Sequence, residues 1–298
     1  MYSIMQAFNI AHDNFRDWHK NIRIYMTFAL AFTLCYLLSN KAVAFSNEHG
    51  TTLQLFEAFI WTFGDSNSIL LASLLLIMLF SDMPFLGSQA PYYLIRTNRK
   101  IWLAGQALYI VMATTIYMLF ILFATAALCA SNAFFANMWS PTAAMLGYSK
   151  AGEVIAIPSM VKTLEMSLPF ECTGTIFLLM LLYTMLMVFV MLLFNILKGQ
   201  FWGIISVLAF SLYGFLLNPL TFKSLFNLSA MQTYQANVAV GWMSPLNHAT
   251  YHMHNFGYDL LPRIWHTIVI YLILIVICYI FTQAAIRRYN YNFSSAEG

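Results

Sequence analysis

Three histidines lie close together in the segment NHATYHMHN, at positions 248, 252 and 254. His248 and His252 are four residues apart, so on a helix both rings would lie on one face and could bind a metal ion. The cluster has no acidic partner nearby and no H-E-x-x-H motif, which a zinc peptidase would need. We therefore interpret His248, His252 and His254 as polar residues of a segment outside the membrane, and we predict no metal site.

Other chemistry-bearing residues are scarce in the apolar segments. No convergent set of acids, histidines or nucleophiles is visible there, which disfavours an intramembrane enzyme. The chain lacks a G-x-x-x-x-G-K-[ST] loop, so it cannot hydrolyse ATP by that route. Ion-coupled carriers usually keep ionisable groups at membrane depth, and these segments have almost none. We therefore predict no enzyme activity and no cofactor in this chain.

The composition indicates a membrane protein. Of the 298 residues, 61% are hydrophobic, 17% aromatic and only 8% charged, and the mean hydropathy is +0.71. This leaves too little charge for a surface that faces water. The net charge of +3 gives no indication of nucleic-acid binding, and we expect membrane lipids as partners instead.

The order of apolar and polar segments predicts an all-α, polytopic membrane protein with one transmembrane domain, 1–298, and six transmembrane helices. Residues 1–23 carry charges between Phe8, Phe15 and Trp18, which is typical of an interfacial amphipathic helix. The predicted spans are about 24–44, 68–86, 101–128, 174–197, 201–217 and 264–283. The intervening segments 45–67, 129–173 and 218–263 are predicted outside. Proline and glycine interrupt the last of them, which favours broken, re-entrant helices.

Lysine and arginine are distributed unequally between the two sides of this arrangement. One side holds nine of the fourteen: Arg16, Lys20, Arg23, Arg96, Arg99, Lys100, Lys198, Arg287 and Arg288. The other side holds Lys41, Lys150, Lys162, Lys223 and Arg263. Because cytoplasmic loops carry the excess of positive charge, both termini are predicted to be cytoplasmic. The predicted location is the cell membrane, as a multi-pass protein of a bacterial cytoplasmic membrane.

Two of the four cysteines bracket the first long external segment. Cys129 lies at the end of the third predicted span and Cys172 lies just before the fourth. Both are predicted near the outer face, so a disulfide between them is a hypothesis, with two free thiols as the alternative.

The densest basic cluster lies between the second and third predicted spans. The stretch Asp82 to Gln106 contains Arg96, Arg99 and Lys100, together with Gly87 and Pro91. Its charge and its turn-forming residues predict a cytoplasmic hinge between two membrane helices.

This stretch resembles the corresponding loop of the type-2 family of ATP-binding-cassette (ABC) export permeases. In that family an acidic residue at the inner end of span two precedes a glycine, a short amphipathic helix and an R-x-x-R pair. Here the matching elements are Asp82, Gly87, residues 91–95, and Arg96 with Arg99. The six-span layout with both termini inside is also similar to that of the family.

The resemblance implies a permease subunit that exports a substrate with energy from a separate protein. Two membrane units, identical or different, would pair, and two cytoplasmic ABC ATPase subunits would bind ATP and Mg. A short helix in the loop would dock into a groove of the ATPase. The implied coupling residues are Gly87, Pro91, Tyr92, Tyr93, Leu94, Arg96, Arg99 and Lys100. The three basic residues could also bind anionic lipid headgroups.

A second class of function stays open at this point. The chain could be a membrane-embedded immunity or sensor component, or an intramembrane enzyme, that is not coupled to ATP. Co-purification with an ATPase subunit discriminates between the two classes. The residue pattern does not identify the substrate as peptide, drug, lipid or glycan.

Overall fold

The computed structural model describes residues 2–84, 97–149, 151–155, 157, 160–227 and 232–288. This part of the chain is mostly helical. The helices are α1 (Tyr2–Arg16), α2 (Ile22–Glu48), α3 (Glu57–Phe63), α4 (Ser66–Phe80), α5 (Arg99–Cys129), α6 (Pro141–Tyr148), α7 (Ala151–Val154), α8 (Val161–Met166), α9 (Pro169–Lys198), α10 (Gln200–Leu216), α11 (Pro219–Leu225), α12 (Thr233–Met243), α13 (Pro245–Ala249) and α14 (Ile264–Ala285). Short 3-10 turns cover Trp18–Lys20, Ala130–Asn132, Tyr251–Met253 and Ile286–Arg288.

Within the described residues, four helices are long and apolar enough to cross a membrane: α2, α5, α9 and α14. Helices α3 and α4 pass the same test only as a pair, and the chain bends by 88° between them. Helix α10 is apolar but has only 17 residues. The structure therefore shows four long apolar helices, or five if the bent pair counts as one.

The helix ends differ from the predicted ones by several residues. Helix α2 continues to Glu48 and α9 begins at Pro169, because a helix can extend through polar residues beyond the apolar run. Proline is tolerated at the first helical position, where its missing N–H is not needed. The second predicted span ends at about residue 86, but α4 ends at Phe80.

One small sheet departs from the all-α prediction. Strand β1 (Leu53–Gln54) pairs in parallel with β2 (Ala133–Phe134). The pairing joins the segment after α2 to the segment after α5. These two segments are far apart in the sequence, so neither segment alone indicates the pairing.

Helix α9 forms the centre of the bundle. It packs against α4, α5, α10 and α14. In its most apolar stretch of 18 residues, 72% is buried, against 11% in the corresponding stretch of α14. One interior hydroxyl group joins two helices. The Tyr117 hydroxyl donates to Ala72 O at 2.7 Å and thereby joins α5 to α4. Such a bond is favourable in an apolar interior, where an unpaired hydroxyl group costs free energy.

The N-terminal helix packs on the bundle. Its buried face includes Ala7, Ile10 and Ala11, at the spacing of a helical stripe, and it lies against α5. A Cβ on Gly105 of α5 would lie 2.7 Å from Ile10 Cβ. Glycine therefore permits this close approach of the two helices.

A buried carboxylate joins two segments that were predicted to be external. Glu57, the first residue of α3, is fully buried. Its Oε1 accepts from Ser140 N at 2.7 Å, and its Oε2 accepts from Ser140 Oγ at 2.5 Å. Ser140 Oγ also accepts from Ala143 N at 3.0 Å, so it caps α6. Glu57 thus fixes the start of α6 onto α3.

The hypothesised disulfide is absent, because Cys129 and Cys172 are both free thiols in separate surroundings. Cys129 lies in a small cluster with Leu53 and Ala58, and its Sγ donates to Leu55 O at 3.2 Å. Cys172 belongs to the main core. The short strand pair, and not a bridge, holds the end of α5.

Candidate functional site

Six helix ends meet at one end of the bundle, where the chain leaves at residue 84 and returns at residue 97. Helices α2, α5 and α10 begin there, and α4, α9 and α14 end there. We call this the loop end. Four side chains at the loop end, Arg23, Asp82, Arg99 and Asn195, bind the two sides of the loop, and we call them the anchor cluster.

Asn195 holds the chain where it leaves α4. Its Nδ2 donates to Met83 O at 2.6 Å and to Ser81 O at 3.2 Å. The side chain is buried near the end of α9, in an apolar environment where an unpaired amide N–H would be unfavourable, and its Oδ1 has no hydrogen-bond partner among the described residues. These bonds account for the end of α4 at Phe80, because the carbonyl groups beyond it bind Asn195.

Gly203 of α10 makes room for this amide. A Cβ at position 203 would lie 1.6 Å from Asn195 Oδ1 and 3.0 Å from Met191 O. The tight connection through Gly199, which has φ +99°, turns α10 back against α9. A residue with a side chain could not replace Gly203 without displacing Asn195.

The N-terminal helices contact the same turn through an ion pair. Arg23 Nη1, at the start of α2, donates to Asp82 Oδ2. Both side chains are partly exposed, at 49% and 39%, so the pair contributes at most about 1 kcal/mol to stability. Its role is to orient the segment after α4.

Arg99 holds the chain where it returns. It is the first residue of α5, and its Nη1 donates to Ile286 O and Arg287 O, both at 2.9 Å. These carbonyl groups follow the last turn of α14, where a cation is also favoured by the helix dipole. Arg99 therefore joins the start of α5 to the C-terminal end of the bundle.

The lead into α2 contacts α5 roughly two to three turns beyond Arg99. The Trp18 indole Nε1–H donates to Tyr109 Oη at 2.8 Å, and Asn14 Nδ2 donates to Gln106 Oε1 at 3.2 Å. The Phe15 ring also packs on Tyr109, with ring centroids 4.9 Å apart. The first turns of α5 thus contact both the N-terminal lead and the end of α14.

Of the predicted coupling residues, the structure describes Arg99 and Lys100, both in the first turn of α5. The other predicted residues, Gly87, Pro91, Tyr92, Tyr93, Leu94 and Arg96, lie outside the described residues. Sequence reasoning missed Asn195 and Gly203 as part of the site. The signal was present, because Asn195 is a polar residue in an apolar segment and Gly203 follows the tight turn.

The three histidines do not form a metal site in the described part of the chain, where no group of three or more metal-ligating side chains occurs. His248 and His254 share a partner on α14, the Thr267 hydroxyl. His252 lies apart, beside Gly64 and Trp61. The i, i+4 spacing does not place His248 and His252 on one helix, because α13 ends at Ala249.

Searches against protein-family models, curated proteins and solved structures each found no match. The function is therefore inferred from the arrangement of the residues.

Proposed function

We propose that the chain is the permease subunit of an ATP-driven export system of the type-2 ABC kind, with six spans and both termini in the cytoplasm. The observation that carries the proposal is the anchor cluster. Asn195 and Arg23 bind the chain before the loop, and Arg99 binds it after the loop. A loop fixed on both sides can transmit a movement of a bound partner to the helices.

The anchors distribute this movement over the bundle. Before the loop, a displacement would act on α9 through Asn195 and on α2 through Arg23. After the loop, it would act on α5 directly and on α14 through Arg99. Because α9 packs against α4, α5, α10 and α14, among other helices, a movement of Asn195 would reach several of the long helices. Tightly packed elements move as units and do not deform gradually.

The energy for export would come from the cytoplasmic ATPase subunits. The chain lacks a phosphate-binding loop, so ATP and Mg would be bound by the cytoplasmic subunits. Tyr92, Tyr93 and Leu94 would supply apolar contacts to a groove of that subunit. Arg96, Arg99 and Lys100 would hold the loop at the lipid headgroups. The substrate would move outward from the cytoplasm or the inner leaflet.

Purification of the tagged chain from the membranes of its own host tests this proposal. We expect a nucleotide-binding subunit with ATPase activity to co-purify. Replacement of Tyr92, Tyr93 and Leu94 by Ser is expected to reduce the co-purified ATPase by tenfold or more, since truncation of an aromatic residue at the buried centre of an interface costs more than about 1 kcal/mol.

A matched triple variant provides the control. Phe135, Met138 and Tyr148 are exposed, at 70%, 59% and 58%, away from the loop end. Their replacement by Ser should leave both the membrane yield and the co-purified ATPase unchanged. Absence of any ATPase subunit, or equal retention by the two variants, would contradict the proposal.

A further inference from the structure

Two buried imidazole rings share one hydroxyl group. His248 Nδ1 lies 2.8 Å from Thr267 Oγ1, and His254 Nε2 lies 3.0 Å from the same oxygen. Both rings are nearly inaccessible, at 3% and 0% exposed, and Thr267 is 0% exposed. We call these three residues the histidine–threonine network. It lies outside the long apolar helices except for Thr267, in the first turn of α14.

Each ring also contacts backbone carbonyl groups with its other nitrogen. His248 Nε2 lies 3.1 Å from Trp242 O. His254 Nδ1 lies 3.1 Å from both Thr250 O and Tyr251 O. A carbonyl oxygen can only accept, so both of these nitrogens must carry hydrogen to make a bond.

The number of hydrogens decides the state of the network. Four contacts need one hydrogen each: two between a ring and a carbonyl group, and two between a ring and Thr267. A neutral imidazole supplies one hydrogen and the hydroxyl supplies one. Two neutral rings therefore supply three hydrogens for four contacts. One contact would then place two lone pairs against each other in a buried site, which is unfavourable.

We propose that the histidine–threonine network is a binding site for one proton, which His248 carries as an imidazolium. His248 then donates to Trp242 O and to Thr267 Oγ1. The Thr267 hydroxyl donates to His254 Nε2, and neutral His254 donates to the carbonyl groups of the preceding turn. All four contacts are satisfied, and the proton comes from water.

The surroundings favour His248 over His254 as the charged ring. The bond from His248 to Trp242 O is only partly buried, whereas the bonds of His254 are buried. The Lys162 ammonium also donates to His254 O at 2.8 Å, which disfavours a second cation there. Burial lowers the pKa of His254 to about 4. Burial also lowers the pKa of His248, and the bond to Trp242 O opposes part of that decrease.

No carboxylate neutralises the proposed cation directly, since the ion pairs of the described residues include neither ring. The groups packed around the network are mixed in charge. On neighbouring elements, Lys162 pairs with Asp259, and His252 lies near Asp65. The other titratable groups around the network are His266 beside Trp242, Arg263, Tyr271, and Glu171 and Cys172 near Tyr251. Because burial opposes the charge, proton uptake is expected below the ordinary histidine range.

The bound proton would tie two elements together. His248 belongs to α13 and His254 follows the Tyr251–Met253 turn, whereas Thr267 lies in α14. The protonated network has one more bond between them than the neutral network. This inference does not depend on an ATPase partner, because its residues lie away from the loop end.

Nitrogen-15 NMR of histidine-labelled protein in detergent tests the proposal, because ring nitrogen shifts distinguish imidazolium from the neutral tautomers. The His248 signals are assigned by their loss in His248→Asn. Between pH 8 and pH 5 we expect His248 to gain its second ring proton while His254 stays neutral with hydrogen on Nδ1. Simultaneous protonation of both rings, or neutrality of both throughout, would overturn the proposal.

Thr267→Val removes the shared hydroxyl and with it the need for the additional proton. The pH of half-protonation of His248 is expected to fall by about one unit, which is a tenfold weaker affinity. The control is Thr282→Val on the same helix, where the buried hydroxyl donates to Cys278 O. His254→Phe, which removes the second ring, should give the same fall. If the pH of half-protonation of His248 in both Thr267→Val and His254→Phe equals the wild-type value, the proposal is refuted.

Discussion

Replacement of Gly203 by Ala is expected to destabilise the bundle by roughly 2–4 kcal/mol. The new Cβ would overlap Asn195 Oδ1 at 1.6 Å, so the amide must leave its bonds to Ser81 O and Met83 O. Overpacking costs about 1–3 kcal/mol, and each lost hydrogen bond costs about 1 kcal/mol. The better helix propensity of Ala offsets about 1 kcal/mol of this loss.

Gly174→Ala is the matched control, because Gly174 lies within α9 and a Cβ there meets nothing within 4 Å. It should be stabilising by roughly 0.5–1 kcal/mol. Reversible unfolding in mixed micelles measures both variants. If Gly203→Ala were as stable as Gly174→Ala, Asn195 would not hold the chain before the loop in the way described.

Replacement of Glu57 by Ala is expected to destabilise the opposite end of the bundle by about 3 kcal/mol. The change leaves Ser140 N and Ser140 Oγ without the acceptor that they share, and an unsatisfied buried group costs about 1–3 kcal/mol. The start of α6 should loosen as a result. Amide hydrogen exchange of residues 141–148 measures this local effect, and unfolding in micelles measures the global one.

The control for this change is Glu48→Ala, because Glu48 is exposed at the end of α2. Surface changes of this kind usually alter stability by less than about 0.5 kcal/mol. Ser140→Ala completes a double-mutant cycle with Glu57→Ala. Additive losses in the cycle would show that the two side chains do not act together.

The sequence predicts the long helices well because apolar runs are a local property. A run such as residues 101–128 is helical whatever it packs against, since only helices satisfy their own backbone in hydrocarbon. Helix α5 covers Arg99–Cys129 accordingly. The helix boundaries are less predictable, because the last turn depends on distant partners such as Asn195 for α4.

The polar contacts could not be predicted in the same way. Glu57 and Ser140 are 83 residues apart, and nothing in either local segment indicates the other. The same holds for His254 and Thr267, since the local pattern NHATYHMHN does not indicate a partner on α14. Pairing of buried polar groups is favoured, but the choice of partner depends on how the helices pack.

The packing of α1 on α5 has a similar cause. The amphipathic pattern of residues 1–23 predicts an interfacial helix, and an apolar stripe binds either lipid or another helix. Gly105 decides between them in part, because it lets Ile10 approach the α5 backbone.

Site-directed photocrosslinking at Tyr92 tests the central claim most directly. Tyr92→p-benzoylphenylalanine places a crosslinker in the loop between the anchors, and Tyr148→p-benzoylphenylalanine places one at an exposed tyrosine beyond the membrane helices. We expect a crosslink from position 92 to an ATPase subunit with a phosphate-binding loop, and none from position 148. A crosslink to such a subunit from neither position, or equally from both, would contradict the proposed coupling through this loop.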